Sequence, residues 1–596
     1  MLQKLRKSMQ LNNIDAYIIM SDDYHQSEYS HPYFKSRAAV TKFTGSAGYC
    51  IVTMDKAILW TDGRYFIQAN KELKNSGFEL YKMGIEGFDT IEEFIQKNIN
   101  ENKVLAFDGR TMPIALGKKL QNISKKNNFK INSIDLISDI WDDRPEFPTD
   151  KIFMLDLNLS GKDFTDKLND VRNTLKEKNA KYHILSCLDD ICWLLNIRGN
   201  DIPNCPFVFS YVIISDNSFD LFIDLNKLNN EQKTILENKN VNLHDYNDFY
   251  DFLNNINFDS NVLIDPVRCN YHIYNIVKNK LSNTKYELIE STNPTIILKA
   301  IKNDVEIENI RKIHIQDSVA VTKFMIWIKE NVGKIEMDEL SVEKYLYKLR
   351  EEQPDFYELS FDTISAYGAN AAMMHYKATE QSYSKIEPKG LYLIDSGGQY
   401  YGGTTDITRT FALGELTEEE KYHFTLTVKS VINLSKVKFL YGCSGLSLDV
   451  LARSVMWNQG LDYKCGTGHG VGYMLNVHEA PNGFRWKIVP ERTDSAILEA
   501  NMVTTIEPGV YIEGKHGIRI ENETITKVAF ENENGKFMEF ETITFAPIDL
   551  DAINISMLTD EEKIYLNNFH KQSYEKLSPY LNEHEKEKLR HYTREI

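Results

Sequence analysis

The sequence predicts an α/β (α+β) protein in which two similar α/β blocks precede a larger block rich in strands and glycine turns. In the first half of the chain, short apolar runs that end at polar or glycine turns alternate with segments of helical periodicity. A helix–turn–strand pattern ending in two aspartates occurs twice there. Beyond residue 297 lie most of the glycine-rich motifs and the informative histidines and acids.

Composition and charge restrict the class of protein. The chain has 596 residues, of which 42% are hydrophobic and 26% charged, so it is not a disordered chain. This length allows roughly three to five domains. The 69 basic and 86 acidic residues give a formal net charge of −17. Because such a chain has no overall attraction to nucleic acid or anionic membranes, we expect neither as a partner.

The sequence also favours a cytoplasmic location. No stretch approaches the roughly 18–20 uninterrupted apolar residues of a membrane span. The start of the chain lacks the pattern of a signal peptide, although a leader removed from a longer precursor would leave no trace. The seven cysteines are odd in number, widely spaced and without a CxxC motif, which is untypical of disulfide scaffolds and cysteine zinc sites.

The first block is predicted to span residues 1–150. Its apolar runs Ala16–Met20 and Ala57–Trp60 predict buried strands, and the periodic segment Phe88–Ile99 predicts a helix. Residues 143–150, DRPEFPTD, contain two prolines and four charges, which is typical of a linker.

The second block is predicted to span residues 151–296 and to repeat the first. It begins with a helix near Asp163–Lys178 and a strand near His183–Ser186. The segments LQKLRKSMQLNNIDAYIIMSDD and LNDVRNTLKEKNAKYHILSCLDD share the order helix, polar turn, strand and Asp-Asp. Any two α/β units look partly alike, but the shared aspartate pair favours a duplicated domain.

The third block is predicted to span residues 297–596. Its first element is a long amphipathic helix, Lys302–Glu330, and the tail from Leu558 is helical and charged.

Two glycine-rich segments of the third block each carry a pair of acids on a predicted hairpin. In LIDSGGQYYGGTTDITRT, a turn at the Tyr-Tyr pair would place Asp395 opposite Asp406. In TIEPGVYIEGKHGIRIEN, a turn near Gly514 would place Glu507 opposite Glu521. Cross-strand neighbours lie about 5 Å apart, and carboxylates that close repel unless protons or cations separate them. Two such pairs favour a divalent metal site.

Three histidines of the third block are candidates for the same site. His469 lies in GTGHGVG, whose glycines permit close backbone approach but which lacks the Lys-Ser/Thr ending of a phosphate loop. It is a candidate metal ligand, while His375 in AAMMHY and His478 in NVHE are candidate catalytic groups. An ordinary loop or core histidine is the alternative for each of them.

The ordered motifs resemble those of the pita-bread metallopeptidases, and within them the three-domain Xaa-Pro aminopeptidases of the cytosolic type. The resemblance to the catalytic domain lies in HY (375–376), LIDSGGQYYGGTTDITRT, GTGHGVG, NVHE, TIEPGVY and GIRIEN. HQSEYSHPYFKSRAAVTKFTGSAG and WTDGRYFIQA resemble the first domain of that family, and DDICWLLNIRGNDIPNCPFVFSY the second. The resemblance implies two creatinase-like N-terminal domains followed by a pita-bread catalytic domain with a helical tail.

The resemblance also implies a dinuclear metal site. All five ligands of the family are present: Asp395, Asp406, His469, Glu507 and Glu521. They would hold two divalent ions, manganese by family habit, although Zn²⁺ or Co²⁺ would also suit these ligands. Such ions lower the pKa of a bound water and turn it into a nucleophile.

Further roles follow from the same resemblance. Glu507 would pass a proton from the water to the leaving proline nitrogen, and His375 and His478 would bind substrate and stabilise the oxyanion. Arg64 matches an arginine that contacts the peptide from the first domain. Spacing rather than the resemblance indicates a role for Arg519, which lies two residues before Glu521, hence on the same strand face, and could orient the carboxylates.

The implied activity is removal of an N-terminal residue that precedes proline, by a homodimer formed through the last domain. One alternative is a prolidase, whose chains are usually shorter, with one N-terminal domain. The other is a non-enzymatic pita-bread binding protein, although such relatives typically have broken ligand sets. One position departs from the family: Cys465 stands where many relatives have a histidine, four residues before His469, and it is a weaker hydrogen-bond donor.

Overall fold

The computed structural model describes residues 1–489 and 494–596, which form two compact units. Unit 1 comprises residues 1–154 and 164–295, and unit 2 comprises residues 155–163 and 296–596. The seven cysteines are free thiols. Within the described ranges, no helix combines the length and apolarity needed to cross a membrane.

The first sheet of unit 1 has six strands. They are β1 (Ala16–Ile19), β2 (Tyr49–Thr53), β3 (Ala57–Thr61), β4 (Glu79–Lys82), β5 (Val104–Phe107) and β6 (Lys130–Ser133). The order is β4-β3-β2-β1-β5-β6, with β1 antiparallel to β2 and parallel to β5. The accompanying helices are Leu2–Leu11, Ser36–Thr41, Phe66–Glu72, Ile91–Asn98 and Ile114–Asn127.

The second sheet of unit 1 repeats this topology. Its six strands, and the separate pair β7 and β9, come from the following set: β7 (Phe153–Met154), β8 (Tyr182–Leu185), β9 (Ile197–Arg198), β10 (Ser210–Ile214), β11 (Phe219–Ile223), β12 (Asn242–His244), β13 (Val262–Ile264) and β14 (Leu288–Glu290). The order is β12-β11-β10-β8-β13-β14, with β8 antiparallel to β10 and parallel to β13, while β7 pairs with β9. The helices are Phe164–Glu177, Leu188–Leu195, Asn230–Asn238, Phe249–Asn255 and Tyr271–Leu281. The predicted duplication is confirmed, since both sheets use one strand order and one set of directions.

Capping side chains set where two predicted helices begin. The helix expected over Phe88–Ile99 begins at Ile91, because Thr90 and Glu93 form a capping box in front of it. In unit 2, the helix expected from Lys302 begins at Asp304, because Asn303 and Glu306 form the same motif.

The other strands of the described chain lie in unit 2, where they form sheets of three, three, six and two strands. The strands are β15 (Phe356–Leu359), β16 (Ile364–Tyr367), β17 (Leu391–Ser396), β18 (Gly398–Tyr400), β19 (Gly403–Thr404), β20 (Ile407–Ala412), β21 (Lys438–Leu440), β22 (Gly468–Gly470), β23 (Glu479–Phe484), β24 (Val503–Ile506), β25 (Gly509–Ile512), β26 (His516–Arg519), β27 (Asn522–Asn532) and β28 (Gly535–Thr542). Their orders are β15-β18-β19, β16-β17-β20, β21-β28-β27-β24-β22-β23 and β25-β26.

Helices cover these sheets and hold them in place. From residue 294 onward they are Pro294–Ala300, Asp304–Asn331, Glu339–Glu351, Glu418–Ser435, Gly445–Trp457, Asp560–Leu577 and Glu583–Tyr592, and Leu157–Ser160 also belongs to unit 2. Phe324 of the long helix shares a core with Ile394 of β17. Phe424 of the helix Glu418–Ser435 shares another core with Ile506 and Ile520. The strands that carry the paired acids are therefore each anchored by a buried apolar neighbour.

Candidate metal centre

The first acid pair lies where β17 ends and β20 begins, but its two members are not directly opposite. Asp395 lies opposite Thr408, and Asp406 immediately precedes β20. Tyr400 pairs with Gly403, so the turn is centred between residues 401 and 402. The sequence prediction placed the turn one residue too early. In a hairpin, moving the turn centre by one residue moves each cross-strand partner by two residues. Asp395 therefore lies opposite Thr408, and the predicted pairing with Asp406 was wrong by two positions.

The second acid pair lies in a gap between two antiparallel ladders. The β24–β27 ladder and the β25–β26 ladder share one register, which places Glu507 opposite Glu521 as predicted from the sequence. Gly514 lies at the hairpin end with a φ of 73°, a conformation that glycine adopts without strain. Ile506 and Ile520, each 0% exposed, directly precede the two acids and fix them to the core.

Two glycines let the strand that carries the candidate histidine approach its neighbours. A Cβ atom on Gly468 would lie 1.9 Å from the carbonyl oxygen of Thr505, and one on Gly470 would lie 2.2 Å from that of Glu479. No side chain fits at either distance. The glycines of GTGHGVG therefore serve close strand packing, as expected from the sequence.

The His469 imidazole presents Nε2 to the acids. Its Nδ1 lies 2.8 Å from the carbonyl oxygen of Gly470 and donates to it, which in a neutral ring leaves the lone pair on Nε2. Nε2 lies 3.4 Å from Oδ2 of Asp406 and 3.5 Å from Oε1 of Glu507. Asp406, His469 and Glu521 each offer a ligand atom, and these atoms lie within 4.8 Å of one another. A neutral imidazole in this tautomer is the form that binds metal ions.

The carboxylates are buried close together, and some of their oxygens have no hydrogen-bond donor among the described residues. Asp395 Oδ1 and Glu521 Oε1 are buried and accept no hydrogen bond from the residues that the structure describes. Burial, and then the charges of Asp395, Glu507 and Glu523, raise the pKa of Asp406 well above its ordinary value. Burial and the neighbouring carboxylates, Asp406 first, do the same to the pKa of Glu521. Oxygen ligands that are buried, unpartnered and mutually repelling suit a hard divalent cation.

Arg519 is the cation of this cluster. Its guanidinium forms an ion pair with Asp395 Oδ2 and donates hydrogen bonds to the hydroxyl groups of Tyr511, at 2.7 Å, and Thr408, at 3.1 Å. Burial lowers the pKa of Arg519, but Tyr511, Asp395 and Glu507 outweigh it and raise that pKa well above its ordinary value. Arg519 therefore stays charged and holds one oxygen of Asp395.

The remaining candidates occupy different surroundings. The ring of His478 stands nearly perpendicular to that of His469, with centroids 4.4 Å apart, so it lies beside the candidate metal-binding imidazole. His375 is exposed on the loop after the short helix Gly368–Ala372. Arg64 belongs to unit 1, where it forms a 2.7 Å ion pair with Asp62 and its side chain is 35% exposed.

Two buried residues of this region were missed from the sequence. Oε1 of Glu523 accepts the backbone N–H of Asp406 at 2.6 Å, and Oε2 lies 3.2 Å from Nε2 of His314. Burial lowers the pKa of His314, but the charge of Glu523 outweighs it and raises that pKa above its ordinary value. Glu523 follows Glu521 by two residues, and period-2 alternation would have placed it on the same face of the strand. Nothing in the surrounding sequence marks His314.

Cys465 lies four residues before His469 and carries a partly buried thiol. Burial, and then the charge of Glu507, raise the pKa of Cys465 to about 12. The thiol therefore stays protonated at neutral pH and does not exchange protons there as an imidazole does.

Family models match most of the chain, in four segments. Residues 1–137 and 143–306 each match the creatinase/prolidase N-terminal domain. Residues 308–527 match metallopeptidase family M24, and residues 536–596 match the C-terminal region of peptidase M24.

Individual relatives match over nearly their whole length. The probable Xaa-Pro aminopeptidase P of Leptosphaeria maculans is 38% identical over 590 residues, which cover 97% of this chain and 96% of the relative. The Xaa-Pro aminopeptidase 1 of Dictyostelium discoideum is 38% identical over 594 residues, with 97% and 93% covered. The crystal structure of X-prolyl aminopeptidase from Caenorhabditis elegans, described as a cytosolic enzyme with a di-nuclear active site, has a TM-score of 0.91 and 32% identity. It covers 100% of this chain and 99% of that chain.

Proposed function

The chain belongs to the Xaa-Pro aminopeptidases of metallopeptidase family M24, and we propose that it removes the N-terminal residue from peptides whose second residue is proline. One observation of this chain carries the proposal. Buried carboxylates from two hairpins converge with Nε2 of His469, and two of their oxygens accept no hydrogen bond from the described residues. Such a cluster is stable at neutral pH only when protons or cations separate its carboxylates, and a divalent cation answers this directly.

Two divalent ions fit this donor set. Asp395, Asp406, Glu507, Glu521 and His469 would hold them. We propose Mn²⁺ as the native metal because four carboxylates and one imidazole are mostly hard ligands, with Zn²⁺ or Co²⁺ as substitutes. When bound, the ions supply a water of lowered pKa that attacks the peptide carbonyl.

The side chains of this chain position the substrate and move the proton. Glu507 is half-buried, while Asp395, Asp406 and Glu521 are buried, so it is the carboxylate most open to the substrate side. We assign it the transfer of the water's proton to the proline nitrogen, which must be protonated to leave. His478, beside His469, and His375, on its exposed loop, would bind the peptide and donate to the developing oxyanion. Arg519 keeps Asp395 oriented.

A panel of peptides tests the activity and separates it from that of a prolidase. We expect cleavage of Xaa-Pro-Xaa tripeptides and longer Xaa-Pro peptides, and no cleavage of Xaa-Ala-Xaa. Cleavage of Xaa-Pro dipeptides alone would identify a prolidase. No hydrolysis of any peptide by the metal-loaded protein would favour a binding protein.

We further propose a cytoplasmic homodimer formed through unit 2. Trp457 and Trp486 are 43% and 48% exposed, and their ring centroids lie 6.1 Å apart. Exposed aromatic pairs are typical of protein interfaces. Sedimentation of the protein and of a Trp457→Ala, Trp486→Ala variant tests this: the variant is expected to sediment as a monomer.

A further inference from the structure

Glu339 is a buried carboxylate whose hydrogen bonds come from a single neighbouring segment. It is the first residue of the helix Glu339–Glu351 and is 0% exposed. The segment comprises residues 367–384, carries His375 in its middle, and is called here the histidine loop. No ion pair joins Glu339 to a basic side chain in the described part of the molecule.

The two oxygens of Glu339 bind both ends and the middle of the histidine loop. Oε1 accepts the backbone N–H of Tyr367 at 2.7 Å and Nδ2 of Asn370 at 3.0 Å. Oε2 accepts the hydroxyl of Tyr376 at 2.8 Å and the backbone N–H of Ser384 at 2.7 Å.

These hydrogen bonds are strong and costly to lose. A buried carboxylate without a cationic partner depends on its donors, and hydrogen bonds to an ionised acceptor are stronger than neutral ones. Burial, and then the contact with Glu339, raise the pKa of Tyr376 well above its ordinary value, so its hydroxyl remains a donor. The carboxylate therefore favours one conformation of the loop.

The other side of the histidine loop packs on β26, a strand of the hairpin between Glu507 and Glu521. Its short helix, Gly368–Ala372, lies against β26, where a Cβ atom on Gly517 would be 1.7 Å from the carbonyl oxygen of Ala371. β26 ends at Arg519, which forms the ion pair with Asp395. The loop is thus held between Glu339 on one side and the hairpin of the acids on the other.

From these contacts we infer that Glu339 is a positioning residue, which acts through Tyr376 to fix the adjacent His375 for substrate binding. The inference rests on the proposed aminopeptidase function and on the role assigned to His375. It predicts that weakening the Glu339 contacts loosens the loop without disturbing the metal ions.

The variants that test it are Glu339→Gln and Tyr376→Phe, which change one acceptor and one donor with little change in volume. Their controls are Glu351→Gln, at the exposed end of the same helix, and Tyr383→Phe, on the same loop. We expect kcat/KM on an Xaa-Pro-Xaa peptide to fall about tenfold in each test variant, with metal content unchanged and both controls unaffected. In a His375→Ala background, the same two changes are expected to cause no further loss. An equal further loss there, or loss of bound metal, would overturn the inference.

A second measurement needs no peptidase activity. Lys377 is exposed on the histidine loop, two residues after His375, and offers a trypsin site. We expect cleavage after Lys377 to be about tenfold faster in Glu339→Gln and Tyr376→Phe, at an unchanged melting temperature, because local opening exposes the bond. Unchanged cleavage would overturn the inference. A wild-type protein that hydrolyses no Xaa-Pro peptide would contradict the proposed function instead, and this measurement would still report on the loop.

Discussion

The backbone N–H of Asp406 donates a 2.6 Å hydrogen bond to Oε1 of Glu523, a carboxylate outside the expected ligand set. Glu523 is 0% exposed, and Nε2 of His314 lies 3.2 Å from its other oxygen. A chain of contacts therefore runs from the long helix through Glu523 to the main chain of a candidate ligand. Residues that hold metal ligands in place orient those ligands and so contribute to metal affinity.

Glu523→Gln is expected to weaken metal binding about 10- to 100-fold, since the amide pairs less strongly with the Asp406 N–H and with His314. The measurement is calorimetric titration of Mn²⁺ into metal-free protein. Glu531→Gln, on the exposed end of the same strand, is the control and should bind metal as the parent does. Equal Mn²⁺ affinities of the two variants would show that Glu523 does not support metal binding.

Asp406→Asn is expected to abolish activity while stabilising the metal-free protein. The neighbouring carboxylates and burial raise the pKa of Asp406, so its charge is unfavourable there without metal. A neutral amide should increase the free energy of unfolding on the order of 1 kcal/mol. Thermal unfolding with a chelator measures this, and adding Mn²⁺ should raise the melting temperature of the parent far more than that of the variant. Normal turnover in Asp406→Asn would contradict its assignment as a ligand.

Local sequence predicts an element well when periodicity and turn position both lie within it. The duplication in unit 1 was predictable because one helix–turn–strand pattern, which contains β1 in the first copy and β8 in the second, occurs twice. Glu507 and Glu521 face each other because Gly514 marks the turn between them. The predicted pairing of Asp395 with Asp406 had the wrong register. Gly402 and Gly403 follow the Tyr-Tyr pair, so no single residue marks the centre of that turn.

Contacts between distant segments were not predictable in the same way. His314 reaches Glu523 across 209 positions of sequence, and Glu339 gathers donors from a loop that begins 28 residues later. His314 and Glu339 look like ordinary helical positions in the sequence. Only packing of the elements brings them to the site, so residues that support a site are harder to predict than its ligands.

Arg64→Ala is expected to reduce catalysis on tripeptides and longer peptides through both KM and kcat, with metal content unchanged. The reason is the peptide contact that the family resemblance implies for this arginine, a charge-assisted hydrogen bond worth about 1–3 kcal/mol. Steady-state kinetics on peptides of increasing length measure the loss. Lys71→Ala, an exposed basic residue of the same unit, is the control. If Arg64→Ala cleaves long Xaa-Pro peptides as well as the parent does, Arg64 does not contact the substrate.

His25 is expected to destabilise unit 1 as the pH falls below about 6.5. Its imidazole is 0% exposed, bonded to the Ser186 carbonyl oxygen at 2.8 Å and to the Tyr246 hydroxyl at 2.9 Å. Burial lowers the pKa of His25 to about 3, so between these pH values the unfolded chain binds a proton that the folded protein does not. Stability is therefore retained above pH 6.5 and lost toward pH 3, by about 1.4 kcal/mol per pH unit.

Urea unfolding of unit 1 at several pH values checks this prediction. His25→Gln lacks the titrating group, so its stability should fall less steeply between pH 6 and pH 4 than that of the parent. Identical pH slopes for parent and variant would show that His25 does not contribute.

The central claim is a metal-dependent hydrolysis specific for the bond before proline. Its most direct test is the rate of Xaa-Pro-Xaa hydrolysis by metal-free protein as Mn²⁺ is added back, with Xaa-Ala-Xaa measured in parallel. We predict no turnover without metal, a rate that saturates at about two equivalents of Mn²⁺ per chain, and no cleavage of the alanine peptide. Full turnover by exhaustively demetallated protein, or equal cleavage of both peptides, would contradict the account.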